Sequence, residues 1–209
     1  ASSTGGPAAA SAHAKGAAER MSEPPGVTWI DAMREAWKCG EVTVKVRAAA
    51  IARARVIDSA KRIADTQEDY LLLLLEIANT SATRKIEYTG WGARGEQPRL
   101  TDNLKNAYTV QVAPGGGIFD GQQRGKSIYP EKTLEDLLVF ERPVGRAQSL
   151  RLQLPAAAFQ GTGTGYIEIP MAMVKSELGP EFRRTLEPAA TKPKSAVGNG
   201  AEKTSDKAE

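Results

Sequence analysis

The sequence predicts an all-β fold, an antiparallel sandwich or barrel of about seven or eight strands with one short N-terminal helix. Many segments between residues 41 and 174 alternate apolar and polar residues with period two. Clusters of Gly, Pro, Asn and Asp separate these segments. The most apolar stretch, DYLLLLLEIANTS at 69–81, has the length of a strand. Short alternating segments with turn signals between them are typical of β-sandwiches and barrels.

The leucine-rich stretch at 69–81 is predicted to be a central strand. Its apolar run, 70–75, is too short for a membrane span of about 20 residues. Leucine propensity alone favours a helix, but a buried helix needs about 10 to 12 residues and caps. The alternating neighbours and the turn cluster Asn79-Thr80-Ser81 favour a strand. We expect the face with Leu71, Leu73, Leu75 and Ile77 to be fully buried and the opposite face to be buried in part.

The two ends of the chain differ from its middle in composition. Residues 1–26 form an Ala/Gly/Pro-rich linker and residues 179–209 a polar, charged tail, and both are predicted to be disordered because they carry too little apolar surface to order. The folded domain is predicted at 27–178. Residues 40–178 carry 18 basic and 16 acidic side chains, a net charge of +2. A nucleic-acid binder usually concentrates basic charge, so that class is not supported.

A short helix is predicted from Trp29 to Cys39. Thr28 is a suitable N-cap with Asp31 three residues later, and Gly40 is a suitable stop. Trp29, Met33 and Trp37 recur at helical spacing. Two interpretations remain open: the two tryptophans pin the helix against the sheet, or they form a platform for a ligand.

The remaining elements follow from alternation and turn residues. Residues 52–68 are charged and mixed, which predicts a long polar loop. At 99–108 a strand, a turn and a second strand are predicted, with Asp102 in the turn; a calcium loop would need a later glycine and glutamate. Glu135 and Asp136 point to opposite faces and are predicted to be solvated. Further strands are predicted at 42–47, 84–91, 108–112, 134–140, 150–154 and 166–169.

The sequence shows no catalytic, cofactor or metal motif. A single cysteine, Cys39, cannot form an internal disulfide or a cysteine-based zinc site, and the single histidine, His13, lies in the linker. The glycine runs at 115–117 and 161–165 precede no helix, so they lack the setting of a phosphate-binding loop. A hydrolase would need two carboxylates such as Asp69, Glu76 and Asp102 to meet in one cleft. We therefore expect a protein that is not an enzyme and uses no cofactor.

Several stretches between residues 28 and 174 together resemble a known family. They are Asn79-Thr80-Ser81, Leu100-Thr101-Asp102 with Asn106 and Tyr108, Tyr129-Pro130, Leu138-Val139-Phe140-Glu141-Arg142-Pro143, and Leu150-Arg151-Leu152-Gln153-Leu154-Pro155. In this order they resemble the DUF4352 group of telokin-like, immunoglobulin-like bacterial domains, in the variant of planctomycete envelope proteins. The resemblance implies an immunoglobulin-like antiparallel β-sandwich, often tethered outside the membrane, and implies no catalytic residues.

The leading functional hypothesis is a non-enzymatic interaction or structural module on the extracytoplasmic side of a bacterial envelope. Its partner would be an unknown protein or envelope component. Tethering would depend on a part preceding Ala1, because the chain shows no membrane span; a cytoplasmic location is the alternative. The candidate binding surfaces are the loops with Trp91 and Phe119. The alternative function is a carbohydrate or small-ligand module that stacks Trp29, Trp37 or Trp91 on a sugar ring.

Overall fold

The structure, a computed structural model, describes residues 26–91 and 96–182 and is built of β-strands. Three short 3₁₀ helices lie at Pro114–Gly116, Ala156–Phe159 and Met171–Met173. The strands are β1 (Ile30–Asp31), β2 (Trp37–Cys39), β3 (Val42–Ile57), β4 (Ile63–Asn79), β5 (Ile86–Tyr88), β6 (Arg99–Asp102), β7 (Ala107–Tyr108), β8 (Ile118–Phe119), β9 (Lys126–Ile128), β10 (Thr133–Phe140), β11 (Ser149–Pro155), β12 (Thr164–Pro170) and β13 (Val174–Lys175). The all-β prediction is confirmed, although the described residues hold more short strands than the alternation suggested.

The strands form two larger sheets and one small one. The first sheet has the order β1-β12-β11-β6-β7. The second has the order β10-β4-β3-β13, with β2 and β8 also paired to β3. The small sheet pairs β5 with β9. Most pairings are antiparallel, but β1 with β12 and β13 with β3 are parallel.

The core lies between the two larger sheets. One cluster of buried side chains joins the inward residues of both, including Val44, Leu73, Leu152 and Ile167. A second cluster covers the opposite face of the β3–β4 sheet and includes Leu72, Leu74, Phe119 and Phe182. The β3–β4 pair is therefore buried on both faces along much of its length.

The leucine-rich stretch is the central strand that the sequence predicts. Strand β4 pairs with β10 on one side and with β3 on the other. Leu71, Leu73 and Leu75 face the first cluster, and Leu72 and Leu74 face the second. Burial on both faces explains an unbroken apolar run, because a half-exposed strand would alternate.

The predicted helix at 29–39 is wrong. Asp31 organises only one turn. Its side chain accepts a hydrogen bond from the Met33 amide, and its carbonyl accepts hydrogen bonds from the amides of Arg34 and Glu35. The chain then enters β2, which pairs with the start of β3 through a tight turn at Gly40, whose φ is +58°. Strand pairing with β3 replaces the helix because it buries Trp37. Met33, which the predicted apolar stripe would bury, is instead 59% exposed.

The predicted loop at 52–68 is also wrong, because most of it belongs to β3 and β4. Only residues 58–62 form the turn of a long hairpin. The inward positions there are mainly alanines, such as Ala54 at 1% exposure. Alanine is depleted in strands and gives a weak apolar signal. Two register shifts, at 46–48 and 53–55 of β3, also break the period of two.

The domain boundaries differ at the C-terminal end. Phe182 is 2% exposed and packs in the second cluster, so the folded part extends past residue 178. The disorder predicted for 1–26 and 179–209 concerns residues that, apart from Gly26 and 179–182, lie outside the described ranges. The predicted strand at 108–112 is reduced to β7 and a single bridge between Val110 and Phe140.

Candidate interaction surface

The far end of the β3–β4 hairpin extends beyond the strand next to it. Strand β10 pairs with β4 only from Leu71 to Ala78. Among the described residues, no strand pairs with the outer edge of β4 before Leu71. The turn is held closed by Asp58, whose side chain accepts hydrogen bonds from the amide and the guanidinium of Arg62 at 2.9 and 2.8 Å. The hairpin end is thus locally ordered and open to solvent.

A bulge separates this end from the rest of the hairpin. Arg53 lies opposite Asp69, and Arg55 lies opposite Asp65, so three residues of β4 oppose one residue of β3. The hydroxyl of Thr66 accepts a hydrogen bond from the Ala54 amide at 3.0 Å, which satisfies the donor that the bulge leaves without a ladder partner. The bulge interrupts the regular edge of β4.

Three isoleucines lie side by side across the hairpin end, and we name them the isoleucine row. Ile57 of β3 is opposite Ile63 of β4 on one side and Ile118 of β8 on the other. Directly paired residues project to the same face of a sheet. Ile63 is 60% exposed and Ile118 is 38% exposed. In the described part of the chain, none of the three belongs to either buried cluster.

Strand β8 reaches this position because the loop before it approaches the hairpin closely. A Cβ added at Gly117 would lie 2.6 Å from the carbonyl oxygen of Ile57. Only glycine permits that approach without a backbone shift. Phe119, which follows Ile118 in β8, projects to the opposite face of the sheet and is 1% exposed.

Charged side chains continue the same face behind the isoleucine row. Arg55 lies between Asp65 of β4 and Asp120, and its Nη1 is 3.5 Å from the Oδ2 of Asp120. One step further, Asp69 lies opposite Arg53. We name this whole surface the tip face. It comprises the isoleucine row with Arg53, Arg55, Asp65, Asp69 and Asp120.

Among the hollows on the surface of the described residues, two are candidate binding sites. One, of about 380 Å³, lies at the turn between β2 and β3 and is lined partly by Cys39, Glu41, Arg84 and Thr162. Its charges are already matched, since Arg84 and Glu41 form an ion pair at 2.8 Å. The other, of about 330 Å³, lies on the opposite side of the hairpin from the tip face and includes Phe119 in its lining.

The structure does not bring the predicted binding residues together on one surface. Trp91 is 2% exposed, and its Nε1 donates a hydrogen bond to the Pro155 carbonyl at 2.9 Å. Trp37 is also buried and packs against Phe159. Trp91, Trp37 and Phe119 are therefore core residues here, and the predicted surfaces built on them are corrected. Part of the predicted loop at 90–97 lies outside the described residues.

Trp29 is the one tryptophan that is only partly buried. It lies just before β1, edge-on to Tyr166 with the ring centroids 5.4 Å apart. The guanidinium carbon of Arg151 lies 5.3 Å from the centre of its ring. The contacts of Trp29 are thus those of a ring held on the outer side of the first sheet by its neighbours.

Asp136 is a buried acid, 2% exposed, although the sequence predicted a solvated position for it. Its Oδ2 accepts a hydrogen bond from the Tyr88 hydroxyl, and its Oδ1 accepts one from the Gln123 amide at 2.7 Å. Burial raises the pKa of Asp136 to about 6, although both hydrogen bonds and Arg124 act in the opposite direction. Burial also raises the pKa of Tyr88. The position of Asp136 just before the apolar run 137–140 was the signal available in the sequence.

The predicted turn at Asp102 is confirmed as an Asx-type turn. Its Oδ1 accepts hydrogen bonds from the Leu104 and Asn106 amides, and its Oδ2 accepts one from the Tyr108 hydroxyl at 2.6 Å. Burial opposes ionisation of Asp102, but these hydrogen bonds outweigh it and lower its pKa. Burial and the bond to Asp102 raise the pKa of Tyr108 to about 12. This carboxylate serves the local fold.

The candidate carboxylates do not form one cleft in the described residues. Asp102 is used within its turn, Asp69 lies 3.4 Å from Arg142, and Glu76 lies 3.5 Å from Arg47. Within residues 26–91 and 96–182, no three His, Cys, Asp or Glu side chains are grouped as metal ligands would be. No helix in that part of the chain is long and apolar enough to cross a membrane.

The protein is thus an all-β protein with two main sheets and an extended hairpin. No protein-family model matches the chain, and no curated protein matches it. The chain resembles the yjhA protein from Bacillus subtilis, with 12% identity, a TM-score of 0.45, and coverage of 68% of this chain and 99% of that one.

Two further solved structures are less similar. A "putative lipoprotein (ycdA)" from Bacillus subtilis shares 10% identity at a TM-score of 0.40, covering 72% of this chain and 41% of that one. A conserved hypothetical protein from Bacillus anthracis shares 13% identity at a TM-score of 0.37, covering 56% and 84%. At these values the likeness says nothing about what this chain does, and the resemblance to the DUF4352 group stays a prediction.

Proposed function

We propose that this chain is a non-enzymatic interaction module that binds a protein partner through the tip face of its β3–β4 hairpin. The finer fold assignment, an immunoglobulin-like sandwich, belongs to the same proposal. The apolar cluster shared by the two larger sheets supports it, because sandwiches bury the inner faces of two sheets against each other. Placement outside the membrane of a bacterial envelope rests on the resemblance to the DUF4352 group alone.

The exposed isoleucine row is the observation that carries this function. Single exposed apolar residues are ordinary on protein surfaces, whereas contiguous apolar patches of more than a few hundred Å² rimmed by polar residues mark interaction sites. The isoleucine row is contiguous and rimmed by charge, but it is smaller than such a patch. Here three adjacent strands each contribute an isoleucine to one row, and an ion pair borders it. Fully burying an exposed isoleucine contributes about 1.5–3 kcal/mol, and each member of the row contributes only in proportion to its exposed fraction, which is 60% for Ile63 and 38% for Ile118. A partner that covers the row would gain a few kcal/mol from a small area.

The sugar-binding alternative has less support from the geometry. Trp37 and Trp91 offer no exposed ring face for stacking. Trp29 keeps partial exposure, but Tyr166 and Arg151 already contact its ring. The described tryptophans therefore do not favour carbohydrate binding.

The experiment compares two matched double variants in capture from a bacterial envelope extract. The test variant carries Ile63→Thr and Ile118→Thr, which keep β-branching while removing apolar surface. The control carries Met33→Thr and Leu104→Thr, at positions that are 59% and 51% exposed elsewhere. We expect the wild type and the control to retain the same protein, and the test variant to retain at least tenfold less. Equal capture by all three proteins, or no capture by a wild type that also stays monomeric at about 1 mM, would overturn the proposal.

A further inference from the structure

We propose that the tip face binds the same face of a second copy of this chain in a two-fold arrangement that stacks the two isoleucine rows. In this arrangement Lys61 of each copy approaches Asp65 and Asp120 of the other. The inference rests on the proposed function, because it names the partner of the same surface.

The spacing of the rows makes the tip face complementary to itself. A two-fold interface places the same patch on both subunits, so features on the two sides of the axis must match. We name Arg55, Asp65 and Asp120 the charged row. With the axis running along the isoleucine row, the charged row of one copy lies over the turn of the other. Arg55 is two residues before Ile57, and the turn residues Ser59 to Lys61 are two to four residues beyond it. At about 3.4 Å per residue, the charged row lies roughly 7 Å to one side and the turn begins at a similar distance on the other.

The charges on these two sides are opposite. The charged row holds two acids, Asp65 and Asp120, with one arginine, Arg55, so its net charge is −1. The turn, residues 58–62, holds one aspartate, one lysine and one arginine, so its net charge is +1. Each of the two symmetric contacts thus brings a positive turn to a negative row. Complementary potentials of this kind set orientation and disfavour other partners.

The same local features argue against the other arrangements open to a hairpin end. The tip face carries two arginines and three aspartates and the turn adds a charge of +1, so together they have no net positive charge to attract an anionic lipid surface. Adding a strand to the outer edge of β4 would require a regular edge. The bulge at residues 66–68 interrupts that edge, as bulges do where proteins protect exposed edges.

The small area of the tip face indicates a weak association. Three strands about 4.8 Å apart, overlapping over roughly 20 Å, cover roughly 300 Å² per copy. A standard stable interface buries about 800 Å² per partner. We therefore expect a reversible dimer with a dissociation constant of roughly 0.1–1 mM, which matters where copies are concentrated locally.

Sedimentation equilibrium of the full chain from about 10 μM to about 1 mM tests this inference. We expect the average mass of the wild type to rise with concentration, and the Ile63→Thr/Ile118→Thr variant to stay monomeric. The Met33→Thr/Leu104→Thr control should match the wild type. Circular dichroism and thermal unfolding confirm that each variant is folded.

A charge swap gives the sharper test. Lys61→Glu alone and Asp65→Lys alone should each weaken association about three- to tenfold, because each homodimer then opposes like charges at both contacts. An equimolar mixture of the two variants should regain the wild-type association, since both contacts in the mixed dimer are again between opposite charges.

The inference is overturned if the wild type is monomeric at about 1 mM, or if the mixed variants associate no better than each does alone. Capture of a different protein that still depends on Ile63 and Ile118 would then leave the proposed function standing. Loss of both self-association and capture would reject the two together.

Discussion

Replacing Asp136 by asparagine should remove a pH dependence from the stability of the fold. The pKa of Asp136 is about 6 in the folded protein because of burial, against an ordinary value of 3.8. A raised pKa means that the folded state favours the protonated carboxyl. Its stabilising contribution is therefore complete below about pH 4 and is lost as the pH rises through about 6. At about 1.4 kcal/mol per pKa unit, the loss is about 3 kcal/mol.

The assay is urea unfolding of the wild type and of Asp136→Asn at several pH values from 4 to 7. Other carboxylates, such as Asp102 with its lowered pKa, change stability in the opposite direction. The informative quantity is therefore the difference in unfolding free energy between the two proteins. We expect the wild type to lose about 2–3 kcal/mol relative to the variant over this range, because the unfolded carboxyl is already partly ionised at pH 4. A control, Met33→Thr at an exposed position that does not titrate, should run parallel to the wild type. A constant difference between Asp136→Asn and the wild type would refute the reasoning.

Two further predictions concern the core. Leu73→Ala should lower the unfolding free energy by about 2–5 kcal/mol in urea unfolding, because Leu73 is 0% exposed on the central strand. The control Val112→Ala, at a position that is 71% exposed, should lower it by less than about 0.5 kcal/mol. Equal losses for the two variants would contradict the assignment of β4 as the central strand. Gly165→Ala should lower the unfolding free energy by about 1–3 kcal/mol and alter tryptophan fluorescence, because the Cβ of the new alanine would lie 2.3 Å from the Trp37 ring. An unchanged melting temperature and fluorescence spectrum would show that this close contact is absent.

The parts of the fold that the sequence predicted are those with strong local patterns. Alternation identified the strands around residues 134–140, 150–154 and 166–169, and the Asp102 turn followed from side-chain chemistry that acts within a few residues. The hairpin end was missed because its inward positions are alanines and its register shifts. The tip face therefore could not be predicted: Ile118 is distant in sequence from Ile57 and Ile63, and only strand pairing makes the three neighbours.

The segment at 29–39 shows why helical spacing was insufficient. Capping residues and an apolar stripe favoured a helix, but a helix buries its stripe only if a partner surface lies along it. Here a tight turn at Gly40 connects β2 directly to β3, and from β2 the ring of Trp37 packs closely against Gly165.

By itself, the sequence determined the all-β class and the central position of the leucine strand, because apolar periodicity and turn residues are local features that can be read without knowing which segments pack together. Tertiary structure decided which aromatic rings are buried, which carboxylate is desolvated and which apolar residues remain exposed. Exposure is a property of the assembled sheets: Ile63 and Leu73 lie on the same strand, yet only Leu73 has a second sheet packed over it.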